Sequence, residues 1–151
     1  MPKSRPKKKR PASSTGETLA QLYGLRTPFD SPTHSSLIER CERLLVTPLR
    51  DFGAADLRIM LGQRFYPETL VPLALPLLEE DPLLDAEHYP GDLLRSVLHQ
   101  NTEFWQGSPE LLTRARAVVD RALNRAEQTG LERLLQEEIE DFKARTAPPP
   151  N

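Results

Sequence analysis

The stretch from Leu70 to Leu78, LVPLALPLL, is apolar nearly all round, and a helical segment without a wet side has to lie inside whatever the chain folds into. The rest of the chain must then supply elements that cover it. Three prolines constrain how it can run. Pro67 suits a first helical turn, and Pro72 is tolerable if the helix begins near Leu70. Pro76 would be interior, where a missing N–H and a ring clash cost about 3 kcal/mol, so a kink or a shortened helix is expected there.

Covering elements are easy to find, and all have helical spacing. In SLIERCERLLV, residues Leu37, Ile38, Cys41, Leu44 and Leu45 form one stripe, with Ser35 or Ser36 to cap it and Thr47-Pro48 to stop it. Leu57, Met60 and Leu61 mark a second short helix, with Gly62 as a left-handed cap. Beyond the loop Glu80–Gly91, Asp92 can cap a helix that turns Leu93, Leu94, Val97 and Leu98 inward. A turn holding Phe104, Trp105 and Gly107 follows. Ser108 and Pro109 then open a long periodic helix that Gly130 ends. Leu131, Leu134, Leu135, Ile139 and Phe142 give one more, with Glu137, Glu138, Glu140 and Asp141 on or near its wet face. No segment alternates with period two. The expected fold is all-α, a compact bundle of roughly five to seven short helices.

The two ends read differently from the middle. Residues 1–16 are basic and rich in proline, serine and threonine, and residues 146–151 carry three consecutive prolines. Neither can repay the entropy of ordering, so both are expected to be disordered tails around one helical domain over 17–145. The first ten residues hold six cations and no acid. Without those six cations, 14 basic residues face 22 acidic ones, a net charge of -8. The single cysteine, Cys41, excludes an internal disulfide, and no long apolar run marks a membrane span. A cytoplasmic protein without membrane association is the expectation.

Chemistry is sparse. His34, His88 and His99 lie far apart, with no spacing that places two ligands on one helical face, so neither a metal nor another cofactor is expected. Cys41 lies on an apolar stripe, as a buried structural thiol would. There is no phosphate loop, nucleophile elbow or paired nucleophile and base, and an enzyme is not expected. The acids Glu79, Glu80, Asp81, Asp85, Glu87 and Asp92 crowd one loop with His88. Helix-end placement, capping and solvation account for much of that crowding, but acids on a rigid loop also make a negative patch that steers a basic partner. The basic tail could hold phosphate backbones weakly. The acidic body opposes nucleic acid, and the tail has no aromatic residues on which bases could stack.

Taken as an ordered series, LIERCERLLVTPLRDFGAADLRIMLGQ, LVPLAL, DPLLDAEHYPGDLLRSVL and FW resemble the immunity proteins of bacterial contact-dependent growth inhibition systems, over about residues 37–112. The resemblance implies a small helical cytoplasmic protein that neutralises a toxin domain delivered by a neighbouring cell. If that toxin is a nuclease, its basic cleft would complement the acidic body. Glu79, Glu80, Asp81, Asp85 and Glu87, with Tyr89 as an aromatic anchor, are the expected partner-binding residues. The alternative is a helical scaffold or regulator tethered to nucleic acid by its tail. A loop motif shared by proteins with different toxins points to Tyr89, Pro90, Gly91 and Asp92 as holders of the fold, with the acids before Tyr89 left for specificity.

Overall fold

The computed structural model describes residues 16–27 and 35–148, so most of the basic tail and the last prolines lie outside the described residues. Eight α-helices occur among them: α1 (Leu19–Tyr23), α2 (Ser36–Leu45), α3 (Ala54–Gly62), α4 (Pro67–Glu80), α5 (Asp92–Leu98), α6 (Thr102–Gln106), α7 (Pro109–Thr129) and α8 (Arg133–Arg145). A 3-10 turn at Leu49–Asp51 joins α2 to α3, and no β-strand is present among the described residues. The fold is all-α.

The two helices beyond the expected series are single turns. Thr18 accepts a hydrogen bond from the Gln21 backbone N–H while the Gln21 side chain accepts from that of Thr18, a reciprocal cap that starts α1. Gly24, at φ 63, ends it. The expected Phe104–Trp105 turn is α6, which carries Trp105 into the core against Phe142, ring centroids 5.3 Å apart.

The apolar run is the inner helix it had to be. Leu70, Val71, Ala74, Leu75 and Leu78 of α4 are buried, and α4 packs on α3, α5 and α7. The helix starts at Pro67 and passes both Pro72 and Pro76, so it is not shortened and Pro72 lies in its interior rather than its first turn. Pro72 and Pro76 are four residues apart and so share one side, where Pro76 is exposed. The carbonyls that lose a donor there can turn to water.

Helix α5 is the other inner element, with Asp92, Leu93, Leu94, Ser96, Val97 and Leu98 all buried between α3 and α8. Its C-terminal carbonyls are met by arginines from elsewhere. Arg145 donates to Leu98 and Gln100, each at 3.0 Å, and Arg64 donates to His99 at 2.7 Å. Glu138, expected on or near the wet face of α8, is only 9% exposed. It sits among His99 at 3.2 Å, Arg145 at 3.8 Å and Arg95 at 4.0 Å, a cationic setting that makes burial of its charge tolerable. On α2 the stripe is narrower than its spacing suggested. Cys41 and Leu44 are buried, whereas Leu37 is exposed.

Gly62 does not make the left-handed cap expected of it. It is the last residue of α3, and the positive φ values fall on Arg64 (61°) and Tyr66 (53°) instead. The chain thus turns from α3 into α4 through two non-glycine residues in a conformation that L side chains rarely adopt.

Candidate functional site

The loop from Asp81 to Gly91 leaves α4 and returns to α5 within a few residues. Its ends are tied by Leu84 N–H to the Asp81 carbonyl at 3.1 Å, Gly91 N–H to the Leu84 carbonyl at 3.2 Å, and an isolated antiparallel bridge between Asp85 and Pro90. The arc in between would leave three donors without backbone partners. Asp92 supplies the partners. Its carboxylate accepts from the N–H groups of Ala86 at 2.7 Å, Glu87 at 3.0 Å and His88 at 2.8 Å, and the Arg58 guanidinium stands 3.9 Å away.

Asp92 therefore does not cap α5 in the way its position suggested. Gly91, at φ 93, is the residue before the helix, and Asp92 is the first helical residue with its carboxylate folded back into the loop. Only 3% of Asp92 is exposed, so the interaction replaces water almost completely. Gly91 is needed for a second reason. A Cβ there would collide with the Cδ2 of Leu135 on α8.

The six residues expected to bind a partner do not share one set of internal partners. At the end of α4, Glu79 makes a two-pronged pair with Arg114, both contacts at 2.8 Å, and Asp81 meets Arg125 at 3.1 Å. Arg121 donates to the Glu79 carbonyl. These three arginines lie at i, i+7 and i+11 on α7, one face of a helix, and they staple α4 to α7. Hydrogen bonds from Arg114 hold the Glu79 carboxyl below its usual range. Glu87 turns the other way, to Arg58 of α3 at 2.7 Å and Arg40 of α2 at 3.2 Å, and those hydrogen bonds, Arg58 first, hold its carboxyl low as well.

Glu80 and Asp85 are exposed and make no ion pair among the described residues. Tyr89 is half-buried. Burial pushes its phenol ionisation up, the nearby Arg95 opposes that, and the charges of Asp92 and Glu132 add to it. Of the six, Glu80 and Asp85 keep carboxylates without an ion pair among the described residues, and Tyr89 has Arg95 beside its phenol. The arginine partners were legible in principle, since the register of Arg114, Arg121 and Arg125 is visible in the sequence. Arg40 and Arg58 were not, because they come from two different helices.

The α3–α4 turn is a second feature that periodicity did not signal. Phe65 there is 40% exposed, and the Tyr66 ring lies 4.4 Å from that of Tyr23. The Tyr23 hydroxyl bonds Glu68 at 3.0 Å and Thr69 at 2.7 Å, and its ionisation is pushed up to about 12, chiefly by burial. Cys41 is buried, with its thiol likewise pushed up by burial, as suits a packing residue rather than a nucleophile. No helix among the described residues is long and apolar enough to cross a membrane.

A family model described as CDI immunity proteins matches residues 21–115, which takes in α2 to α6, the whole acidic loop and the first part of α7. No curated protein and no solved structure matches the chain.

Proposed function

This chain belongs to the family of CDI immunity proteins, and from that premise we propose that it binds and neutralises the toxin domain of a contact-dependent growth inhibition effector, acting in the cytoplasm through an acidic surface. The observation that carries this reading is the family match over most of the folded region, including the loop. Charge agrees with it. The chain without its first ten residues has net charge -8, which favours encounter with a basic partner such as a nuclease domain and repels free nucleic acid.

Neutralisation here is coverage rather than chemistry. A rigid acidic body seated over a basic cleft excludes the substrate by occupying its place. The pairing of Glu79, Asp81 and Glu87 divides the labour among the six residues. A carboxylate already held by arginine gives up one ion pair to make another, a near-balanced exchange, whereas Glu80 and Asp85 can meet a cation with only desolvation to offset. Glu80, Asp85 and the Tyr89 ring are the contact residues, and Glu79, Asp81 and Glu87 set the shape that presents them.

Calorimetric titration of this chain against the toxin domain encoded by the neighbouring gene tests the reading. Binding tighter than about 1 μM is expected, weakening as salt rises and surface charge is screened over about 10 Å at 0.1 M. Removal of residues 1–16 should leave it intact. An absence of binding at micromolar concentrations rejects the proposal.

A further inference from the structure

A cleft opens where the acidic loop meets the α7–α8 connection. Leu83 and Pro90 of the loop form one side and Gly130, Leu131 and Glu132 the other, enclosing about 230 Å3. Sites for whole small molecules run from about 300 to 1,000 Å3. This one is sized for a single side chain.

Its lining is specific about which kind. Leu83, Pro90 and Leu131 offer apolar contact, and the one charged group is the Glu132 carboxylate. Glu132, the residue before α8, is exposed and makes no ion pair among the described residues, whereas Glu137 and Glu138 of α8 are taken by arginines and Asp141 by Arg145. The Tyr89 phenol, which feels the Glu132 charge, stands at the same edge. The loop wall is built in advance. Asp92 fixes the loop, and the close approach of Gly91 to Leu135 sets that loop against α8.

We propose that this cleft receives one lysine or arginine side chain of the toxin domain, with its methylene stem on Leu83, Pro90 and Leu131 and its cationic head on Glu132. The inference rests on the toxin-binding reading and adds a position to it. Long basic side chains combine an apolar stem with a charged tip, the pairing this cleft presents. An acidic side chain would meet like charge, and a purely apolar one would strip water from Glu132 without replacing it. The net charge of -8 favours a partner on which such cations are abundant.

The test compares Glu132→Gln and Glu132→Lys with Glu140→Lys, which makes the same charge change at an exposed position of α8 outside the cleft. Dissociation constants are measured against the neighbouring gene's toxin domain at about 0.15 M salt, with thermal melts confirming that each variant stays folded. Glu132→Gln should weaken binding about tenfold and Glu132→Lys about a hundredfold, with Glu140→Lys changing it less than about threefold. If the unaltered chain binds the toxin but Glu132→Lys is no weaker than Glu140→Lys, the cleft is not a subsite and the toxin-binding reading stands. If the unaltered chain does not bind, both fall together.

Discussion

Two connections flank the inner helix α4, and they solve the same problem in opposite ways. The loop Asp81–Gly91 after it turns with a glycine at φ 93 and a buried carboxylate that takes three backbone donors. The turn before it, residues 63–66, puts Arg64 and Tyr66 into the left-handed region, where an L side chain costs about 1–2 kcal/mol. The loop relieves its backbone with partners four to six residues away. The turn is held by partners far off, the His99 carbonyl for Arg64 and the Tyr23 ring for Tyr66. A local solution leaves a local signature in the sequence, and a distant one does not.

The comparison can be broken most severely at Asp92. Replacing it with alanine leaves three part-buried N–H groups without an acceptor and takes away the second carboxylate beside Arg58, which keeps Glu87, and should cost about 3–5 kcal/mol in urea-induced unfolding. A loss under about 1 kcal/mol would mean that water reaches those donors and that the loop is not held from within. Next comes Gly91→Ala. The positive φ and the collision with Leu135 together predict a loss of about 2–4 kcal/mol by the same measurement. An unchanged midpoint would remove the glycine from the account. The smallest effect sharpens the other side of the comparison. Arg64→Gly and Arg64→Ala both delete the bond to His99, so their difference isolates the backbone. The glycine variant should be the more stable by about 1 kcal/mol, and a more stable alanine variant would show that the turn stores no strain.

Legibility followed the same line. Helical periodicity gave the all-α class, the buried face of α4 and the inward residues of α5, because those depend on spacing along one segment. The short α1 was written locally too, in the Thr18–Gln21 cap, but its five residues are too few to show a period. The assignment of Gly62 as a left-handed cap failed because glycine permits a positive φ without requiring it. The site was legible in part. Asp92 was correctly placed at the loop's return, yet its direction, back into the loop instead of over the helix, depends on the shape of an arc that only the folded chain defines. The acids before Tyr89 looked alike in sequence. What separates Glu80 and Asp85 from Glu79, Asp81 and Glu87 is where arginines of α2, α3 and α7 arrive.

The arginines that meet the end of α5 have a consequence for how the molecule opens. The carbonyls of Leu98, His99 and Gln100 depend on Arg145, from the last helix, and Arg64, from the strained turn. Helix α8 cannot peel away, and the α3–α4 turn cannot relax, without first releasing the end of α5. Local fraying is therefore coupled to the centre, and the amides of α5 should exchange with solvent only when the whole domain unfolds. A domain built in this way has few partly open states to offer a protease.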